Sequence, residues 1–229
     1  GGRRHPRDMS NVVRGRRIMR VGGEILITFG LVVLLFAAYE VYGKASAIES
    51  HQNVLADRLD KVWTQPVPGA ATRSDASIEP GTPIARLYIP VMKLHWVVVE
   101  GVDVGDIRYA PGHYPGTAMP GQIGNFSVAG HRVPSLFWNL QDVRPGDQVV
   151  IQTQDNWYVY RVTVTEVVTP HSIEVVAPTP DRIGVAPTVA TLTLTTCNPK
   201  WNDYQRMVVH AELVATMPYE DGPPVALGS

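Results

Sequence analysis

The chain holds a single cysteine, and its setting is the first sign of chemistry. Cys197 ends the run Thr191-Leu-Thr-Leu-Thr-Thr-Cys197, which alternates as a β-strand does. With a period of two, Leu192 and Leu194 share a core face, while Thr191, Thr193, Thr195 and Cys197 point the other way. A cysteine used as small apolar filler would alternate with the leucines, and this one does not. Asn198-Pro199 follows and stops the strand, because proline has no N–H for the ladder. A thiol nucleophile needs a base or ion-pair partner to form thiolate, and a donor to hold the oxyanion. His131 closes Asn125-Phe-Ser-Val-Ala-Gly-His131, in which Phe126 and Val128 face inward and Ser127, Ala129 and His131 do not. Arg206 opens Arg206-Met-Val-Val-His-Ala-Glu-Leu213, with Met207, Val209 and Leu213 on one face and Arg206, His210 and Glu212 on the other. Three chemically capable residues therefore stand at strand ends, each opposite the apolar face. They point to a Cys/His pair in a shared groove. Pattern alone leaves His210 and His113 open as the base, and leaves open a non-catalytic surface module with Cys197 as packing.

The elements that must position these residues are short and β-branched. Candidate strands are Ile84–Ile89, Leu94–Val99, Asn125–His131, Gln148–Thr153, Trp157–Glu166, Ile173–Val176, Val189–Thr196 and Gln205–Val214. Turn signals such as Arg144-Pro-Gly-Asp147 and Gln154-Asp-Asn156 separate them. No long 3.6-residue period occurs after residue 84. Eight short strands predict an all-β antiparallel barrel or sandwich over 84–216, with a loose tail over 217–229.

The amino end reads differently. Residues 1–20 hold seven arginines and one acid, and an uncharged run from Ile25 to Tyr39 follows. Extended over 21–43, the span reaches about 33 Å as a helix, enough for a bilayer core. Glu24 and Glu40 sit near its ends, where a carboxylate reaches the headgroups, and Tyr39 and Tyr42 suit the interfacial belt. The basic lead predicts a cytoplasmic amino terminus over 1–20, a transmembrane anchor over 21–43 and an extracellular body. Two rivals are a buried core helix, which leaves the arginines unexplained, and a cleavable signal peptide using Ala45-Ser46-Ala47. Over 44–83, Ile48, Leu55, Leu59 and Val62 predict a juxtamembrane helix, and a Pro/Gly/Ser/Thr-rich linker follows from Thr64.

Charge by region removes one class. The whole chain has 229 residues, 20 basic and 21 acidic, for a net charge of -1. Residues 1–43 take seven of the basic and three of the acidic side chains, leaving 13 and 18 for the rest, a body at −5. An acidic body is a poor nucleic-acid binder. One cysteine excludes an internal disulfide or a thiolate metal cluster. None of the seven histidines pairs at a recognised ligand spacing, and the acids of Gly101-Val-Asp-Val-Gly-Asp106 read as a solvated turn. No cofactor and no metal are expected.

At the cysteine, histidine and arginine the sequence resembles the sortases, membrane-anchored cysteine transpeptidases of Gram-positive bacteria. Thr193-Leu-Thr-Thr-Cys197 resembles the family's TLxTC strand, and Gly124-Asn125-Phe-Ser-Val-Ala-Gly-His-Arg132 its GN…AGHR segment. Arg206, nine residues past the cysteine, matches the family's arginine. The resemblance covers roughly Pro83 to Val214. Within it, Tyr109-Ala-Pro-Gly-His-Tyr-Pro-Gly-Thr-Ala-Met-Pro-Gly121 and Cys197-Asn-Pro199 are similar to class E sortases of high-GC actinobacteria. The resemblance implies an eight-stranded sortase-type β-barrel and catalytic His131, Cys197 and Arg206. It implies cleavage of an LAxTG- or LPxTG-like sorting signal between Thr and Gly, and resolution of a thioacyl intermediate by a cell-wall amine. The implied partners are sorting-signal-bearing surface proteins, a peptidoglycan-precursor amine and the lipid bilayer. Tyr114, in preference to Tyr109, is expected to read the alanine position, with Thr196 and Asn198 also binding substrate. Two enzymatic rivals are a pilus-polymerising class C relative, whose Asp-Pro-Trp/Phe lid has no counterpart in the 64–83 linker, and a Cys/His hydrolase.

Overall fold

In the computed structural model, which describes residues 7–39, 44–64 and 78–228, eight strands close into one barrel. They are β1 (Pro83–Ile89), β2 (Leu94–Glu100), β3 (Gly112–His113), β4 (Gly124–Ala129), β5 (Gln148–Gln152), β6 (Asn156–Val168), β7 (Ala190–Asn198) and β8 (Gln205–Pro218). Around the barrel the order is β1-β2-β3-β4-β7-β8-β6-β5, and β5 pairs back onto β1. Most neighbours are antiparallel. The exceptions are β2 with β3 and β4 with β7, which run parallel. Leu87, Ile89, Val98, Phe126, Val128, Ile151, Leu192, Leu194 and Val209 fill the interior with no more than traces of exposure. At about 25 cal/mol per Å² removed from water, this core is the main term holding the barrel closed.

One expected strand is corrected. Ile173–Val176 forms a 3₁₀ turn instead of a strand. Only Val175 of the four is buried, and the carbonyls of Val175 and Ala177 accept from the Asn125 side-chain amide instead of from a neighbouring strand. Its place in the barrel is taken by β3, two residues that pattern reading cannot detect. β3 exists because Gly112 lets the backbone come close: a Cβ there would lie 2.0 Å from the carbonyl oxygen of Gly101.

Short 3₁₀ turns at Tyr219–Asp221 and Val225–Leu227 follow β8. Tyr219 stacks on Trp157 at 5.8 Å, and Ala226 and Leu227 pack against the cluster of Val150, Trp157 and Val159. An outward apolar patch on β5 and β6 needs a cover, and the tail supplies it.

Helix α1 (Arg7–Ala38) belongs to a separate unit, residues 1–46. Its Gly15–Ala38 stretch has a mean hydropathy of 2.3 and is long and apolar enough to cross a membrane. Glu24, the acid inside that stretch, accepts from Arg20 Nε one turn earlier at 3.1 Å. The end of the expected span at 40–43 and the linker at 65–77 lie outside the described residues.

Helix α2 (Lys44–Thr64) docks on the barrel from Ala47 onward. Leu55 and Leu59 lie one turn apart and bury against Val97, Val99 and Ala110, whereas Val62 stays exposed. About one turn before Leu55, Gln52 behaves as a substitute strand. Its Oε1 accepts from Val97 N at 2.7 Å, and its Nε2 donates to the carbonyls of Val97 and Tyr109 at 3.2 and 3.1 Å.

Candidate active site

The parallel pairing of β4 with β7 decides the site. Its register runs from Gly124↔Ala190 to Ala129↔Thr195, so both strands end at the same rim of the barrel. Past the last pair, Gly130 N donates to Thr195 O at 3.0 Å, and Thr196 Oγ1 donates to Gly130 O at 2.7 Å. These bonds carry the register two residues further and set His131 beside Cys197. Both line a groove of about 490 Å³, together with Arg132, Val133, Pro134, Trp138 and Trp201. Trp138 and Trp201 meet edge to face at 4.9 Å and form an aromatic wall, with Lys200 Nζ 4.5 Å from the Trp138 ring centre.

Gly130 makes the bend into His131 possible. A Cβ at this position would lie 2.6 Å from the ring of Phe137, which is fully buried. The His131 ring is half-buried, and this burial lowers its pKa from the ordinary 6.5, because the imidazolium loses hydration. The neutral imidazole is therefore favoured to lower pH than for a freely hydrated histidine.

Arg206 stands directly across from Cys197 in the β7–β8 ladder. In this structure its Nη1 donates to the carbonyls of Asp203 and Gln205, at 2.5 and 2.8 Å. The guanidinium is thus held by the β7–β8 connection rather than pointed into the groove.

A second arginine, which pattern reading passed over, is more intimately placed. Arg132 is only 9% exposed. Its Nη1 donates to Cys197 O at 3.1 Å and to Asn198 Oδ1 at 2.6 Å, and its Nη2 to Gln141 Oε1 at 2.5 Å. Burial pulls its pKa below the usual arginine value, and the nearby Cys197 and Asp142 oppose that shift. The signal for it was adjacency to His131, but a strand-end arginine ordinarily reads as solvated.

The expected substrate residues separate. Tyr114 OH lies 3.0 Å from Thr195 Oγ1, two residues before Cys197 and on the same face of β7. Tyr109 instead faces α2, its ring 4.9 Å from that of His51. Thr196 is 3% exposed, and its hydroxyl donates to Gly130 O inside the barrel wall, beside the bend into His131. Asn198 Nδ2 donates to Gln205 Oε1 at 3.0 Å, while its Oδ1 serves Arg132. The rival bases are elsewhere. His210 pairs with Thr193, four positions from Cys197 or about 13 Å along the strand. His113 is buried on β3, with Nδ1 2.7 Å from Glu100 Oε2.

Comparison with known proteins agrees with this architecture. The sortase domain model matches residues 87–214, and the chain belongs to the sortase family, whose members are cysteine transpeptidases. Sortase SrtE1 of Streptomyces coelicolor is 34% identical over 220 residues, covering 92% of this chain. The chain spans 61% of that relative's length. Sortase E from Streptomyces avermitilis superposes with a TM-score of 0.58 and 37% identity, over 65% of this chain and 99% of that one. Sortase E1 from Streptomyces coelicolor, solved with a tripeptide in its active site, gives a TM-score of 0.60 and 33% identity over 66% and 99%. The likeness to class E sortases expected from the sequence is borne out by these relatives.

Proposed function

We propose that this chain is a membrane-anchored transpeptidase that cleaves an LAxTG- or LPxTG-like sorting signal between Thr and Gly. The observation that carries the reading is the common groove of Cys197 and His131 at the end of the paired strands β4 and β7. The thiol proton passes to His131, and the Cys197 thiolate attacks the Thr carbonyl. The tetrahedral intermediate collapses to a thioester as the C–N bond breaks, and His131 gives the proton to the departing glycine amine. An incoming amine of the cell-wall precursor then loses a proton to His131 as it attacks the thioester, forming a new amide and releasing the thiol. Arg206, across the ladder from Cys197, steadies the oxyanion or the peptide backbone once it leaves the carbonyls of its own loop. Arg132 acts as a positioning residue that holds the Cys197 backbone and Asn198. Tyr114, whose hydroxyl lies 3.0 Å from Thr195 Oγ1 two residues before Cys197, reads the alanine side of the signal.

The apolar Gly15–Ala38 stretch serves as the anchor. The arginine-rich lead keeps the amino end cytoplasmic and the barrel outside. The acyl donors are then surface proteins bearing the signal, and the acceptor is a peptidoglycan-precursor amine.

The test uses the full chain in detergent micelles with an LAxTG peptide and a diglycine acceptor, followed by mass spectrometry. A new amide product that disappears in Cys197→Ala is expected. Free acid without amide would make the chain a hydrolase, and unchanged cleavage in Cys197→Ala would defeat the cysteine mechanism.

A further inference from the structure

A second cluster of functional side chains lies on the outer wall of the barrel, away from the groove. His210, Glu166 and Asp181 come from β8, β6 and the β6–β7 connection, and their ligating atoms all lie within 4.8 Å of one another. His210 Nε2 stands 3.3 Å from Glu166 Oε1 and 3.4 Å from Asp181 Oδ2. Neither approach is a hydrogen bond, and both Nε2 and Glu166 Oε1 are buried without a hydrogen-bond partner. His210 itself is 5% exposed, so this nitrogen cannot turn to water. A buried polar atom without a partner carries its full desolvation penalty, which asks what it is there to bind.

The other side of the ring fixes its chemistry. Thr193 Oγ1 donates to Asn125 Oδ1 at 2.8 Å, which leaves the hydroxyl oxygen free to accept from His210 Nδ1–H at 2.9 Å. Asn125 in turn donates to the carbonyls of Val175 and Ala177, so every member of the chain is satisfied. With its proton on Nδ1, the imidazole presents the Nε2 lone pair to the two carboxylates. Three electron-rich atoms then converge with no proton among them.

We infer that His210, Glu166 and Asp181 form a binding site for a divalent transition ion of the zinc type. Zinc bonds to imidazole nitrogen and carboxylate oxygen are about 2.0–2.1 Å, and in a tetrahedron this puts neighbouring ligand atoms about 3.3–3.4 Å apart. The two observed Nε2–oxygen spacings match that edge. The Thr193–Asn125 chain is the outer hydrogen bonding that orients a metal-bound histidine. Glu166 and Asp181 are partly exposed, which leaves an entry path and a fourth position for water. Calcium, which takes six to eight oxygen ligands, is poorly served by one nitrogen and two carboxylates. A bound ion would clamp the β6–β7 connection onto β6 and β8.

The experiment uses the full chain in detergent with Cys197→Ala, to remove the one competing thiol. Zinc affinity is measured by competition with a chromophoric chelator, and thermal midpoints are recorded with zinc and with calcium. One equivalent of zinc is expected, with at least a tenfold loss of affinity in Asp181→Asn and again in Glu166→Gln. Zinc at a hundredfold excess over its Kd is expected to raise the unfolding midpoint by about 5 °C or more, and calcium is not. Cobalt in place of zinc is expected to give the visible absorption of a four-coordinate site, which disappears in the double variant. Binding below a tenth of an equivalent would overturn the inference and leave the cluster a structural contact between β8, β6 and the β6–β7 connection. Undiminished binding in the double variant would overturn it equally, as would stabilisation by calcium alone.

Discussion

Gly130→Ala isolates the link between packing and catalysis. The new Cβ would lie 2.6, 2.8 and 3.0 Å from three atoms of the Phe137 ring, about 1 Å inside an ordinary carbon contact of about 3.6 Å. Phe137 is fully buried in the main core, so the ring cannot swing away and the strain falls on the backbone beside His131. Overpacking of this kind costs about 1–3 kcal/mol, against about 0.4–1 kcal/mol gained from the stiffer unfolded chain. The net effect lowers the thermal midpoint by up to about 10 °C in a domain of this size. A shift of His131 by about 1 Å costs about a hundredfold in rate, so activity should fall further than stability. Thermal unfolding and kcat/KM for transpeptidation, both on the detergent-solubilised chain, measure the two effects. Phe137→Leu added to Gly130→Ala removes ring atoms from the clash, and kcat/KM is expected to recover at least tenfold although stability does not. A single variant with unchanged midpoint and kcat/KM would refute the packing argument. Loss of activity that Phe137→Leu fails to relieve would refute its extension to His131.

Other consequences follow from the same geometry. Arg132→Met removes three charge-assisted hydrogen bonds, each about 1.5–3 kcal/mol, while relieving the cost of a buried guanidinium; the net is a midpoint lower by several degrees and a fall in kcat larger than any change in KM. Arg132→Lys, lacking the planar fork, is expected to recover only part of the rate. Because burial lowers the His131 pKa below its unfolded value of 6.5, the unfolded chain binds the extra proton first. Its share of stability is therefore full above about pH 6.5 and drains as pH falls toward the folded pKa; His131→Asn should flatten chemical-denaturation midpoints across that window. Gln52→Leu leaves both polar groups of Val97 without their side-chain partners and should cost about 2–4 kcal/mol, read as a lower midpoint and faster hydrogen exchange at Val97. Deleting residues 219–229 strips the cover from Trp157 and should red-shift tryptophan emission and lower the midpoint.

Much of the barrel was legible because a strand with one buried face writes a period of two into the sequence. Leu192 and Leu194, or Phe126 and Val128, announce their face without any knowledge of partners. The two-residue β3 left no such trace, since two residues contain no period, and Ile173–Val176 showed strand-like composition while the Asn125 side chain took its carbonyls. The outward face of β7 also proved less open than alternation implied. Thr193 and Thr195 are buried, the first against Asn125 and His210 and the second beside Tyr114, so the face is exposed only toward its Cys197 end.

By itself the sequence determined the residue types and their places at strand ends: a thiol, an imidazole and a guanidinium, each opposite an apolar stripe. It determined too that an apolar stretch long enough for a bilayer precedes an acidic β-rich body. Only the tertiary structure decided that β4 and β7, more than sixty residues apart, run side by side in parallel and bring His131 to Cys197. The same pairing put Arg132 against the Cys197 carbonyl, and the pairing of β6 with β8 brought His210 near Glu166. Hydrophobic periodicity is local and survives in one dimension. The choice of strand neighbour depends on backbone hydrogen bonds that every residue can make, and only closure of the barrel around one core selects among them.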